Sequence, residues 1–480
     1  MIHYTVLLIL TIVIFYLAFK IWKKTHDVSF LLGIAVLYYW SLLGAWFIIY
    51  DSMTGNAGKE FGLHYYYLLD KMFPVNVDTD YLLSIFLYGL FIISIEVTLL
   101  FTLKKFRMDK IDYSGFKPLQ INHTIVILIS IVSIIASFWI ILPEMKWAIE
   151  NNMSIYTVTR MSDSPFFILH RLLNEYAIIP LFIGFMILVS GKDSRLINGN
   201  NHWLFMIAYV FVILIAESYL LLLGNKNEML FTGIFCVLLY LTNVQQHIKV
   251  YKIIVLILIF MIPLFLTDTI RSFKPEQLIA TFDGRKSNAT IPEMEPAEIS
   301  ASSTLSAFAF SNEMFAGHFS MYGVLSKDVP FTYGSSIVSL VAAIVPRILW
   351  PDRPQEVYYH YAKSVGAKPG QGYSMNQATG WYINFGVFGI LLGAFILGRI
   401  WSWTYNSRLK ILNEKRKIVL AFYIVATCSV VAQMPNMIRG GPEYFKPLIM
   451  EAFFIPVLVI FLAIIFFRKK DAKINNEAQA

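Results

Sequence analysis

Eleven stretches of this 480-residue chain are each long and apolar enough to cross a bilayer, and no other feature constrains its fold as strongly. Crossing the hydrocarbon core takes about 20 apolar residues in a helix, because only a helix satisfies its own backbone where water is absent. The stretches fall near residues 2–22, 28–50, 80–103, 124–143, 167–190, 203–223, 228–244, 253–269, 378–402, 418–434 and 447–467. The expected fold is therefore an all-α polytopic membrane protein of about 11 transmembrane helices. With 57% of residues hydrophobic and 15% charged, no sizeable hydrophilic domain remains, which excludes soluble enzymes and soluble binding modules.

A twelfth apolar run, near 335–346, is too short to span. It ends at Pro346-Arg347 and is followed by Trp350-Pro351-Asp352-Arg353-Pro354, which cannot continue a helix and suits a re-entrant segment. With that run not spanning, every second connection is short and basic. Examples are Lys20/Lys23/Lys24, Lys104/Lys105/Arg107 and Arg408/Lys410/Lys415/Arg416/Lys417. About 21 of the 39 Lys and Arg fall in these six connections, the asymmetry of cytoplasmic loops. The N-terminus is then expected outside and the C-terminus in the cytoplasm.

Orientation, rather than nucleic acid, accounts for the net charge of +8. The first span has no small-residue cleavage site before its lysines and is expected to remain as an anchor. The domain organisation follows: an N-terminal bundle over 1–269 with about eight helices, a large extracytoplasmic loop over 270–377, about three C-terminal helices over 378–467, and a basic tail over 468–480.

The long outer loop holds most of the polar, non-basic information, and long loops in compact proteins are usually functional. Arginines gather on this face at span ends: Arg271, Arg347, Arg353 and Arg439. They run against the inside bias. A guanidinium fork binds phosphate bidentately and stays charged, which suits a lipid diphosphate whose head group lies at that depth. The bland alternative is an arginine reaching for lipid head groups or for helix C-terminal carbonyls. Glu96 and Glu217 lie inside spans, where hydrogen bonding within the bundle is the simplest role. Asp78-Thr-Asp80 resembles a metal-binding acid pair but sits where a helix N-cap belongs. Cys236 and Cys428 lie in apolar stretches, so neither a disulfide framework nor a cysteine metal site is expected. The motifs of zinc proteolysis, the serine elbow, nucleotide hydrolysis and dinucleotide binding are missing, and neither cofactor nor metal is expected.

The stretch from Glu313 to about Trp403 contains Tyr333-Gly334-Ser335-Ser336, Ile344-Val345-Pro346-Arg347-Ile348-Leu349-Trp350-Pro351 and Asn376 to Gly389 entering a span. It resembles the bacterial Wzy-type oligosaccharide repeat-unit polymerases, as does the layout of spans around a large outer loop in the C-terminal half. The resemblance covers about a fifth of the chain. Paired Arg-x10-Gly loops, described for some members, are not matched.

The resemblance implies a fold related to the GT-C group and glycosyl transfer at the outer face of the bacterial inner membrane. Its substrate would be a polyprenyl-diphosphate-linked oligosaccharide, with membrane lipids around it and a chain-length regulator protein as partner. Such a site needs fixed positive charge for the leaving diphosphate, for which Arg347 and Arg439, then Arg271 and Arg353, are the candidates. It also needs a base for the acceptor hydroxyl, with Glu313, His360 and Glu443 as candidates and His318 nearby. Tyr358, Tyr361 and Trp381 are candidates for stacking on sugar rings, although aromatics at this depth also form interfacial belts. Two rivals remain open: an O-antigen ligase using the same donor, and a transporter or flippase for a lipid-linked sugar.

Overall fold

The computed structural model describes residues 2–54, 76–105, 121–153, 167–190, 199–223, 312–342, 356–367, 375–411, 440–445 and 453–477, with single residues and short pieces between 155 and 158, 350 and 354, and 419 and 438. In chain order its helices are α1 (Ile2–Thr25), α2 (Val28–Tyr38), α3 (Gly44–Thr54), α4 (Thr79–Thr102), α5 (His123–Glu150), α6 (Phe167–Ser190), α7 (Gly199–Leu222), α8 (Asn312–Ser326), α9 (Ser335–Ala342), α10 (Val357–Ser364), α11 (Gln377–Ile411) and α12 (Ile455–Glu477).

The protein is all-helical, with no β-strand among the described residues. Six helical stretches there are long and apolar enough to cross a membrane: Ile2–Thr25, Gly33–Tyr50, Thr79–Thr102, His123–Glu150, His202–Leu222 and Gln377–Ser407. The expected spans at 228–244 and 253–269 lie outside the described residues, and 418–434 is described only in part.

Two compact units share the chain. The first takes Met1–Met108, Thr290–Asn406 and Met434–Lys446, and the second takes Asp109–Ala289, Ser407–Gln433 and Pro447–Ala480. In the second unit α5, α6, α7 and α12 bury Ile134, Ile141, Ile178, Leu181, Tyr219, Ile460 and their neighbours in one apolar core. Two polar contacts set the register there. Ser130 Oγ donates to Ala177 O at 3.1 Å, and His123 Nδ1 lies 2.9 Å from the Tyr209 hydroxyl. Helix α5 runs past the expected end near 143, straight through Pro143 to Glu150. Proline there removes one intrahelical bond, but the next turn still buries Ala148, so the helix continues.

In the first unit α1 and α4 lie side by side and parallel. His3 Nε2 meets Asp78 O at 2.7 Å at one end, Leu10 packs on Gly89, and Lys24 Nζ donates to Leu100 O at 2.6 Å at the other end. Asp78 is the N-cap of α4, its carboxylate accepting the Tyr81 N–H at 2.9 Å, so this acid does capping work. The far end of α11 reaches the same side as the ends of α1 and α4. Tyr405 donates to Thr25 O at 3.2 Å, and the Asn406 amide bonds Thr102 O at 3.1 Å and the Lys104 N–H at 3.0 Å.

Two irregularities break otherwise regular spans. Between α2 and α3 the helix widens to a π turn, Tyr39–Leu43. Helix α11 is broken at Phe385 (φ −144°, ψ 21°) and Gly386 (φ 61°, ψ −143°). Residues eight apart on a straight helix sit about 12 Å apart along its axis. Here the Trp381 carbonyl touches the site where a Gly389 Cβ would stand, and its indole covers Gly393, so the second half folds back over the first. The expected span at 378–402 thus falls on a helical stretch that is broken at Phe385-Gly386.

Candidate functional site

The π turn faces a buried polar hub in the first unit. His318 Nδ1 lies 2.7 Å from the carbonyl of Ser41 in the π turn, and its Nε2 lies 2.7 Å from the Tyr81 hydroxyl. A carbonyl only accepts, so Nδ1 carries the proton and Tyr81 donates to Nε2. Burial pushes this imidazole down to about 4, against a smaller opposing effect of the Ser41 hydrogen bond, so the ring is neutral with both nitrogens engaged. His318 thus ties α8 to the π turn and to α4.

Asn376, the N-cap of α11, accepts from the Ala378 N–H at 2.9 Å, donates to Ser41 Oγ at 2.9 Å, and passes its own N–H to Ser320 Oγ at 3.0 Å. The Tyr88 hydroxyl lies 2.9 Å from both the Gly317 and His318 carbonyls and accepts the Met321 N–H at 3.1 Å. A π turn loosens the helical ladder and opens backbone groups to outside partners, and such turns recur at functional sites. Here His318 and Asn376 fill those openings.

Beside the hub, segments distant in sequence converge on α10. The Gln377 N–H donates to Ile438 O at 2.8 Å and the Gly440 N–H to Met375 O at 2.6 Å, so the lead into α11 is paired with the segment that carries Arg439. Gly380 presses on the Gly440-Gly441 backbone, where an added Cβ would stand 2.7 Å from Gly440 O. From the following turn (Pro442–Tyr444) Glu443 reaches the N-terminus of α10, and its Oε1 accepts the Val357 N–H at 2.9 Å.

Glu443 is only 5% exposed, and its Oε2 has no partner among the described residues. Burial raises its carboxyl to about 7; its own backbone N–H and those of Val357 and Tyr358 pull the other way, and the nearby Glu356 carboxylate adds to the rise. A carboxyl poised near neutrality with an unused oxygen has the properties of a general base.

His360 sits one turn along α10, its Nε2 2.9 Å from Pro330 O. In the neutral ring Nε2 is then the protonated nitrogen and Nδ1 the basic one. Glu313 is in the first turn of α8, but its side chain lies outside the described residues.

Among the expected stacking residues, Tyr361 is 1% and Trp381 2% exposed, so neither offers an open ring face in this arrangement. Tyr358 is half-buried, its ring 5.6 Å from that of the exposed Tyr359. Arg271, Arg347, Arg353 and Arg439 lie outside the described residues. Among the described residues no three metal-ligating side chains come together.

Sequence reasoning missed the clasp on the α11 break. There the Thr332 N–H donates to Ile383 O at 2.9 Å, its hydroxyl to Asn384 Oδ1 at 3.0 Å, and Asn384 Nδ2 to Ser336 Oγ at 2.7 Å. The visible signal was a polar Asn384 ahead of Gly386 inside an apolar run. Comparison with known proteins returns no match among family models, curated proteins or solved structures.

Proposed function

We propose that the chain is a polymerase of the outer face of a bacterial inner membrane, joining lipid-linked oligosaccharide repeat units into a surface polysaccharide. In the reaction the acceptor hydroxyl oxygen attacks the anomeric carbon of the growing glycan. The bond from that carbon to the diphosphate oxygen breaks, and the polyprenyl diphosphate leaves with the electron pair. The hydroxyl proton passes to a base, the role assigned to Glu443, with His360 one helical turn away as the alternative acceptor. Arg347 and Arg439, then Arg271 and Arg353, are assigned to the departing diphosphate, whose growing charge they would stabilise without a metal.

The observation that carries this reading is the Glu443 carboxyl, buried, poised near neutrality and with one oxygen unused, in the turn that follows Arg439. Deleting the gene in its host, with gel separation of surface polysaccharide and analysis of lipid-linked sugars, tests it. Loss of the long ladder with single repeat units still attached supports the polymerase. Long polymer accumulating on its lipid would instead assign the chain as a ligase.

One observation favours a second reading, a carrier of lipid-linked sugar. Glu96 is fully buried within a span, and neither of its carboxylate oxygens has a partner among the described residues. Acids kept at that depth often serve transport. Repeat units trapped on the inner leaflet of the deletion strain would decide for it.

A further inference from the structure

Tyr333 and Gly334 fill the two central positions of a tight turn, with φ of 49° and 87° and the Ser335 N–H donating to Thr332 O at 3.0 Å. Turns with positive φ at both positions are filled by Asn, Asp or Gly, and a bulky residue is a costly occupant of the first. Burial does not compensate, because Tyr333 is 81% exposed. The turn is also fixed. Thr332 is tied to Ile383 and Asn384 as described, the Ile337 N–H donates to Gly334 O at 3.0 Å, and Gly334 rests on the ring of Phe385.

A second exposed ring lies beside the first. Phe331 is 6.3 Å from Tyr333 and 5.8 Å from Tyr382, centroid to centroid. The preceding residue, Pro330, holds His360 through its carbonyl. The strained turn and the residue before it therefore display two aromatic rings side by side, with an imidazole held by the carbonyl of the adjoining Pro330. A sugar ring stacks its C–H face on an aromatic and offers hydroxyls around the rim, so rings beside hydrogen-bonding groups match it. A membrane anchor needs neither a fixed turn nor a titratable group beside it.

We propose that Phe331 and Tyr333 form a platform for a sugar ring of the oligosaccharide acceptor, with His360 at its rim. The identity of the ligand as a glycan rests on the glycosyl-transfer reading, and the position of the platform does not.

The test is saturation-transfer NMR on the full chain in lipid nanodiscs, using oligosaccharide repeat units released from the host's own surface polysaccharide. Wild type is expected to show transfer. Tyr333→Gly relieves the backbone and deletes the ring, so it is expected to melt no lower than wild type while binding about tenfold or more weakly. Tyr333→Phe is expected to bind within about twofold of wild type, since the stacking face is kept. Phe331→Ser, at an exposed ring outside the turn, is expected to weaken binding as well, which guards against a folding defect in the first variant. Wild-type binding by Tyr333→Gly, or no transfer to wild type, overturns the platform. Binding is read without turnover, so an unchanged polysaccharide ladder in the deletion strain would defeat the polymerase and leave this result standing.

Discussion

Glu443 accepts the backbone N–H of Val357 at 2.9 Å and so closes the N-terminus of α10 from 86 residues further along the chain. One carboxylate oxygen does this while the other, Oε2, has no partner among the described residues. The two oxygens separate two roles, and substitution can separate them too. Glu443→Gln keeps the volume and a carbonyl oxygen for the Val357 N–H but cannot take a proton. It is expected to be present in the membrane at wild-type level and to make no polymer, read by immunoblot and by the polysaccharide ladder. Glu443→Ala also strands a buried N–H, costing about 1–3 kcal/mol, and is expected to lower the melting temperature as well. Normal polymer from Glu443→Gln would remove Glu443 as the base.

The pH dependence has opposite signs for stability and activity. The folded carboxyl is raised to about 7 from an ordinary value of 4.5, so between those values the folded state holds a proton that the unfolded state has lost. The stabilisation from this group is present in full below about pH 4.5 and is lost as pH rises through 7, on the order of 3 kcal/mol. A base must be deprotonated, so activity should rise as pH passes through about 7, where the folded carboxyl loses its proton. Melting curves from pH 5 to pH 8 are expected to show wild type losing stability relative to Glu443→Gln. Parallel curves for the two proteins would show that this carboxyl does not titrate there.

Arginine chemistry gives a prediction independent of Glu443. Arg347→Ala and Arg439→Ala are expected to abolish polymer with protein level unchanged. Arg347→Lys should also fail, because an ammonium is a point charge and cannot reproduce a bidentate fork on a diphosphate. Polymer near the wild-type level from both alanine variants would rule out these two residues as the diphosphate site.

How much of this was legible in the sequence depends on the range of the interaction. Apolar length marks α1, α4 and the start of α5 to within a few residues, because a bilayer span is a local requirement. The N-cap at Asp78 was legible for the same reason. Tyr361 and Trp381 read as open aromatics because burial is decided by distant partners, in the case of Trp381 by Gly389 and Gly393 beyond a break. The role of His318 was equally hidden, since its partners Ser41 and Tyr81 lie 277 and 237 residues away. Asn376 stands in the sequence at the entry to a span, which matches its place just before α11. Its bond to Ser41 across 335 residues is what places it in the hub.

The break in α11 is the feature a long apolar run conceals, and it supports a final prediction. Gly386 has φ 61° and ψ −143°, a region that side chains with a Cβ avoid, while the space around it is open, with the nearest atom, Phe331 Cζ, 3.6 Å from an added Cβ. Gly386→Ala should therefore cost conformational strain of about 1–3 kcal/mol without a clash. Gly380→Ala meets the opposite situation: an ordinary helical backbone, but the Gly440-Gly441 main chain in the way. There the backbone must move, separating the lead into α11 from the turn that carries Glu443. Both variants are expected to melt below wild type. Gly380→Ala should also lose polymer, whereas Gly386→Ala should keep it in proportion to the folded fraction. Gly380→Ala making polymer in proportion to its folded fraction would mean that contact between these two segments is not needed to hold Glu443 in place.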